Sequence, residues 1–80
     1  MNKEEKTLND LPLNRTAYIE NLNCTGNIKR RLLDLGFVKN SSITPVLVSP
    51  SKDPRAFAIK GTLIAIRKED ASLINIKFDS

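Results

Sequence analysis

The sequence predicts a mostly β fold, a small antiparallel barrel of about five strands with one short helix inserted after the first strand. Two observations predict it: five short apolar or alternating segments are separated by turn residues, and a single segment has a helical period. With 80 residues, 40% of them apolar, the chain has enough material for one small core. We therefore expect residues 1–7 to form a flexible tail and residues 8–80 to form a single domain.

The first strand is predicted at residues 16–22, where apolar and polar side chains alternate. Residues 9–14, before it, are rich in the Asn, Asp and Pro that favour turns. This turn carries Leu11 and Leu13, and we expect both leucines to lie under the barrel because a small core needs nearly every apolar residue.

Residues 28–35 form the predicted helix. At about 100° per residue, Ile28, Leu32 and Leu35 fall on one face, and we expect that face to be buried against the barrel. A helix this short is not stable alone, so it has to pack on the rest of the domain.

Both ends of the helix carry recognisable signals. Thr25 and Asn27 are each suitable as the N-cap residue. Gly36 is placed to end the helix in the left-handed conformation, and Phe37 follows as the apolar residue that packs back on the last turn.

The later part of the chain is mostly strand. Its predicted strands are residues 43–48, 55–60, 63–66 and 74–78, with a short helical turn at residues 68–71 before the last strand. Pro45 lies inside the first of them and removes a backbone donor, which predicts either an edge position or a β-bulge.

The residue types favour a protein without chemistry of its own. The chain has no His and a single Cys, Cys24, so it lacks the usual nitrogen and sulfur ligands of transition metals and the base that would activate a thiol. The adjacent acids Glu69 and Asp70 fit the first turn of a short helix better than a site for a hard cation. No phosphate-binding glycine pattern occurs. The sequence therefore predicts no catalytic, cofactor-binding or metal site, and no enzyme.

Charge and hydropathy predict a cytoplasmic protein. The N-terminus is charged and no apolar run approaches the roughly 18 residues that a membrane span needs, so we expect no signal peptide and no membrane insertion. The chain should stay in the cytosol unless a partner recruits it to the inner face of the membrane. Its net charge of +4 favours acidic partners and permits nucleic acid.

The outer face of the helix is the predicted partner-binding surface. Leu33 lies about 140° from the stripe of Ile28 and shares its face with Lys29, Arg30 and Asp34. An apolar residue among charges, beside a basic cluster, suits docking onto a partially acidic protein surface, whereas the alternative is that the N-terminal turn covers Leu33. Around this face the predicted partner-binding residues are Lys29, Arg30, Leu32, Leu33 and Phe37.

A nucleic-acid-binding barrel that uses the basic helix is the alternative function. Small barrels that bind single strands carry exposed aromatic residues for base stacking. The only aromatic residues of this chain are Tyr18, Phe37, Phe57 and Phe78, and their spacing places no two on one exposed platform. The composition therefore favours a protein partner.

The order of motifs along residues 8–78 resembles the FeoA family of bacterial ferrous iron transport. The segments that carry the resemblance are residues 8–12, 30–37, 49–50, 53–54 and 61–71. It implies an SH3-like barrel and a non-enzymatic accessory protein, whose partner is the FeoB transporter with its cytosolic GTPase domain. The implied function is to modulate assembly of the transporter or its GTPase-linked transport. It gives no oligomeric state.

Two positions depart from the family pattern. Lys39 and Asn40 stand where the family often has Pro-Gly, and Asn40 is expected to preserve the turn because Asn tolerates the left-handed conformation. Pro45 stands where the family usually has a β-branched residue, which leaves the pairing of that strand open.

Overall fold

The computed structural model describes residues 6–78, which form a six-stranded antiparallel sheet and two helices. The strands are β1 (Lys6–Thr7), β2 (Ala17–Leu22), β3 (Ser42–Val48), β4 (Arg55–Ile59), β5 (Thr62–Ile66) and β6 (Ile74–Lys77). The helices are α1 (Gly26–Asp34) and α2 (Lys68–Ala71), and a 3-10 turn spans Leu8–Asp10. The order of strands in the sheet is β1-β6-β2-β3-β4-β5. The mostly β antiparallel fold, with a helix after β2 and a helical turn before the last strand, is confirmed.

The first strand, β1, was not predicted. Its residues Lys6 and Thr7 fall in the expected tail, but they pair with Ile76 and Asn75 of β6, so the sheet has six strands where about five were expected. Two residues are too few to show an alternating pattern, and only their long-range pairing identifies them as a strand. The rest of the expected tail, residues 1–5, lies outside the described residues.

The N-terminal turn is fastened to the barrel through its backbone. Leu8 and Leu11 are buried in the core, whereas Leu13 is 46% exposed, so the expectation was right for Leu11 and wrong for Leu13. The guanidinium of Arg55 donates hydrogen bonds to the carbonyls of Leu8 (3.2 Å) and Leu11 (2.6 Å). These bonds hold the turn on β4 and close one side of the core.

Pro45 lies next to a bulge in the middle of the sheet. Strand β3 lies between β2 and β4, and the register of the β3–β4 pair shifts between Pro45 and Leu47. Of the two predicted explanations for Pro45, the bulge is therefore confirmed and the edge position is wrong. The ring is buried, and the carbonyl of Pro45 accepts a hydrogen bond from the backbone N–H of Asn14 at 2.7 Å.

Strands β3, β4 and β5 expose an uncharged apolar surface, which we call the outer sheet face. Because Phe57 and Ile59 of β4 are buried, the alternate positions of this strand point away from the core. In the observed register the outer sheet face consists of two cross-strand rows, Thr44–Ala58–Leu63 and Leu47–Ala56–Ala65. Leu47 and Leu63 are each 59% exposed.

Candidate functional site

Helix α1 rests on the barrel through a narrow strip. Of the predicted buried stripe, only Leu32 is in the core, whereas Ile28 and Leu35 are 44% and 36% exposed. The prediction that all three are buried is therefore wrong for Ile28 and Leu35. The helical period shows which side chains share a face, but the width of the strip that a small barrel covers depends on tertiary contacts. The helix starts at Gly26 and ends at Asp34, so Leu35 already lies at its C-cap.

The C-terminus of α1 forms a Schellman motif. The N–H of Phe37 donates to the carbonyl of Leu32 at 3.0 Å, and the N–H of Gly36 donates to the carbonyl of Leu33 at 3.1 Å. Gly36 has a φ of 103°, so the predicted left-handed end is confirmed. Thr25 is the N-cap residue, one of the two expected, but its side chain makes no capping hydrogen bond. The Schellman motif directs Phe37 into the core beside Leu32 and leaves Leu33 on the outside.

The segment after α1 is held against β2. Asn40 has a φ of 74°, which confirms the left-handed turn expected there. Its N–H donates to the carbonyl of Ile19 at 2.7 Å, and the N–H of Ile19 donates to the carbonyl of Ser41 at 2.9 Å. These bonds fix the position of the neighbouring Lys39.

Between α1 and strands β2 and β6 lies a groove of about 890 Å³, which we call the helix groove. Leu22 and Leu33 supply accessible apolar lining, and the buried side chains of Ile19, Phe37 and Ile76 lie beneath the surface at this groove. A concave surface with an apolar lining is the usual form of a binding site.

The charged residues of the helix groove are mostly cations. Lys6, Lys29, Lys39 and Lys77 line it, together with a single acid, Glu20. Glu20 and Lys77 form an ion pair with 3.4 Å between Nζ and Oε1, and both side chains are nearly half exposed. Within residues 6–78 the other three lysines have no ion-pair partner, so the described residues that line the groove carry more positive than negative charge.

Burial divides the five predicted partner-binding residues. Leu33 is 42% exposed and lines the helix groove, so the N-terminal turn does not cover it. Lys29 also lines the groove, and Arg30 is exposed beside it without lining it. Leu32 and Phe37 are 4% and 0% exposed, and their side chains pack in the core. The partner-binding role of this set stays a prediction, and only its three exposed members offer side chains to the surface.

Sequence reasoning missed three lysines of the groove. Lys77 directly follows the buried Ile76, and its outward position in an alternating strand was a usable signal. Lys6 was assigned to the tail, and Lys39 lies in a turn where no pattern indicates direction. Their convergence on α1 results from the pairing of β1 with β6 and from the hydrogen bonds of the turn to β2.

The part of the chain that the structure describes holds neither a cluster of metal ligands nor a membrane-spanning helix. Across residues 6–78 no three His, Cys, Asp or Glu side chains come together in a way that could hold a metal ion. In the same range neither helix has the length and apolar character needed to cross a bilayer.

Both a protein family model and a curated relative match most of this chain. A family model described as the FeoA domain matches residues 6–77. A relative from Porphyromonas gingivalis, a fusion of Fe(2+) transport protein A with the Fe(2+) transporter FeoB, is 32% identical over 73 residues. That alignment covers 91% of this chain but only 9% of the fusion protein.

Solved structures confirm the SH3-like barrel. The solution structure of iron(II) transport protein A from Clostridium thermocellum has a TM-score of 0.86 at 32% identity, over 91% of this chain and 45% of that one. The crystal structure of Stenotrophomonas maltophilia FeoA complexed with zinc has a TM-score of 0.81 at 30% identity, over 90% and 89% of the two chains. The latter is described as a prokaryotic SH3 domain protein.

Proposed function

This chain belongs to the FeoA family of ferrous iron transport, and on that premise we propose that it is a non-enzymatic accessory protein that binds the FeoB transporter from the cytoplasmic side. The observation that carries the proposal is the P. gingivalis relative, in which the same domain is fused to FeoB in one polypeptide. Fusion holds two domains at a high effective concentration, which favours their association. A separate chain of the same family has to supply that association through its own surface.

The helix groove and the outer face of α1 suit this role. Leu33 offers an exposed apolar contact, and Lys29 stands beside it in the groove lining. In protein interfaces, a few anchor side chains that become buried supply most of the affinity, while charges at the edge speed and orient the encounter. The buried Leu32 and Phe37 hold α1 in place beneath this surface.

Binding alone is sufficient for a regulatory effect. A protein that binds one arrangement of the transporter better than another shifts the balance between them by its differential affinity. The accessory protein would then modulate assembly of FeoB or its GTPase-linked transport without supplying a reactive group.

Affinity capture from native membranes tests the proposal. The full chain, tagged and expressed at its natural level, should recover FeoB from detergent-solubilised membranes, and a tagged unrelated small domain should not. Recovery of RNA without any transporter would contradict the proposal and favour the nucleic-acid alternative.

A further inference from the structure

We propose that the helix groove binds a partner segment in which an apolar side chain stands between carboxylates, that is, an acidic and apolar peptide. This inference rests on the proposed function for the identity of the surface, and it adds the chemistry of the segment that docks there.

The apolar lining of the groove is the reason for expecting an apolar anchor side chain in the partner segment. Phe37 is fully buried, and Ile19 and Ile76 are 1% and 5% exposed, so these three residues add almost no accessible surface, and an anchor would contact Leu22 and Leu33. Leu33 is the apolar residue of α1 that lines the groove, and 42% of its surface is exposed to water. An aliphatic side chain that enters between Leu33 and the strands would remove this surface from water.

The lysines of the groove are the reason for expecting carboxylates on both sides of the apolar side chain in the partner segment. Lys6 comes from β1, Lys29 from α1 and Lys39 from the turn after α1, so three separate elements bring cations to one groove. Glu20 is engaged by Lys77 and offsets only one of the four lysines. Several positive charges along one cleft add up to a stronger positive potential. This potential attracts an acidic segment and repels a basic one.

The aromatic residues argue against a nucleic-acid ligand at the same groove. Base stacking needs an exposed aromatic face. Phe37 is fully buried, and the guanidinium of Arg15 lies over the half-buried ring of Phe78, 4.2 Å from its centroid. The two aromatic residues that line the groove therefore do not form a stacking platform.

A peptide titration of the full chain, labelled with nitrogen-15, tests the inference. The probe is a short synthetic peptide with blocked termini, in which a leucine stands between pairs of glutamates. Two control peptides replace the glutamates by glutamine or the leucine by serine. We expect shifts of the backbone amides of Leu33, Phe37, Lys39 and Ile76, with a dissociation constant on the order of 1 mM or tighter. Each control peptide should bind about tenfold more weakly, the glutamine one for lack of charge and the serine one for lack of an anchor.

Charge reversal on the protein provides the matched test. Lys29→Glu combined with Lys39→Glu should weaken binding of the glutamate peptide about tenfold or more. The control is Lys52→Glu, an exposed lysine in the turn between β3 and β4 that does not line the groove, and it should leave the titration unchanged. Undiminished dispersion of the amide spectrum will show that each variant is folded.

Three results of the titration would overturn the inference: no shift of the groove amides at millimolar probe, equal binding of the glutamine or the serine peptide, or stronger shifts of the same amides by an oligouridylate. The outcome is separable from that of the proposed function because the titration contains no transporter. A groove that binds the peptide in a chain that does not recover FeoB would disprove only the proposed function. Undiminished recovery of FeoB by the doubly reversed variant would overturn only the inference.

Discussion

The helix groove and the outer sheet face both expose leucines, but they differ in what surrounds them. Leu47 and Leu63 on the outer sheet face are each 59% exposed, more than Leu33 at 42%. Their cross-strand neighbours are alanines and a threonine, whereas Leu33 shares its groove with four lysines. Exposure alone would rank the sheet above the groove. Charge beside an apolar surface is what specifies the chemistry of a partner, and only the groove has it.

The two surfaces also arise in different ways. The outer sheet face follows from the pleat of β4, which turns Ala56 and Ala58 outward while Phe57 enters the core. The groove depends on one helix end, where the Schellman motif at Gly36 turns the chain away from α1. Changes at the end of α1 should therefore affect both stability and partner binding, and changes on the outer sheet face should affect neither strongly.

The largest effect is expected from Leu32→Gln. Leu32 is the one residue of α1 in the core, and an amide in its place removes apolar contacts and buries a polar group, a loss of about 2–5 kcal/mol. Because small domains have little more stability than this, the variant should be largely unfolded at room temperature. Thermal melting followed by circular dichroism measures it. A melting temperature near that of the wild type would show that α1 does not depend on this contact.

Gly36→Val should have the next largest effect. The φ of 103° is strained for a β-branched residue, and an added Cβ would lie 3.0 Å from Cδ of Lys60. We expect a loss of about 1–2 kcal/mol or more in the free energy of unfolding, measured by urea denaturation. Gly36→Asn is the matched control, because Asn tolerates positive φ better, and it should be the more stable of the two. Equal stability of the two variants would contradict the proposed role of the left-handed conformation.

Lys29→Glu and Arg30→Glu should differ in how strongly they slow association with the partner. Both cations lie on the outer face of α1, but only Lys29 lines the groove. Lys29→Glu should slow association with the cytosolic region of FeoB about tenfold at low salt, and Arg30→Glu should slow it less. High salt should reduce both effects. Surface plasmon resonance measures the rates. A larger effect of Arg30→Glu would move the docking surface off the groove.

The weakest effect is expected for the binding of Fe²⁺ to this chain. The chain has no His and one Cys, and the groove is lined by lysines, which repel a divalent cation. We expect a dissociation constant on the order of 0.1 mM or weaker. Anaerobic calorimetry will measure it, and a stoichiometric micromolar site would contradict this expectation.

Local chemistry made several of these features predictable from the sequence. The left-handed Gly36 after α1, the inward turn of Phe37 and the burial of Leu32 next to the exposed Leu33 all follow from the helical period and one glycine. The turn at Asn40 follows from a residue type that accepts positive φ.

What the sequence could not predict depends on contacts between distant segments. The exposure of Ile28 and Leu35 depends on how much of α1 the barrel covers. The position of Lys6 depends on the pairing of β1 with β6, across nearly the whole length of the chain. The groove was therefore anticipated only on α1 and directly after it, by Lys29, Leu33 and Phe37.

The most direct test of the docking surface is a pair of leucine variants, Leu33→Gln and Leu63→Gln, measured against the cytosolic region of FeoB by calorimetry. Both side chains are exposed, so neither variant should change the melting temperature by more than a few degrees. If the helix groove is the docking surface, Leu33→Gln should weaken binding by about 1–3 kcal/mol and Leu63→Gln should leave it unchanged. The reverse result, with binding lost in Leu63→Gln and kept in Leu33→Gln, would contradict the account and assign recognition to the outer sheet face.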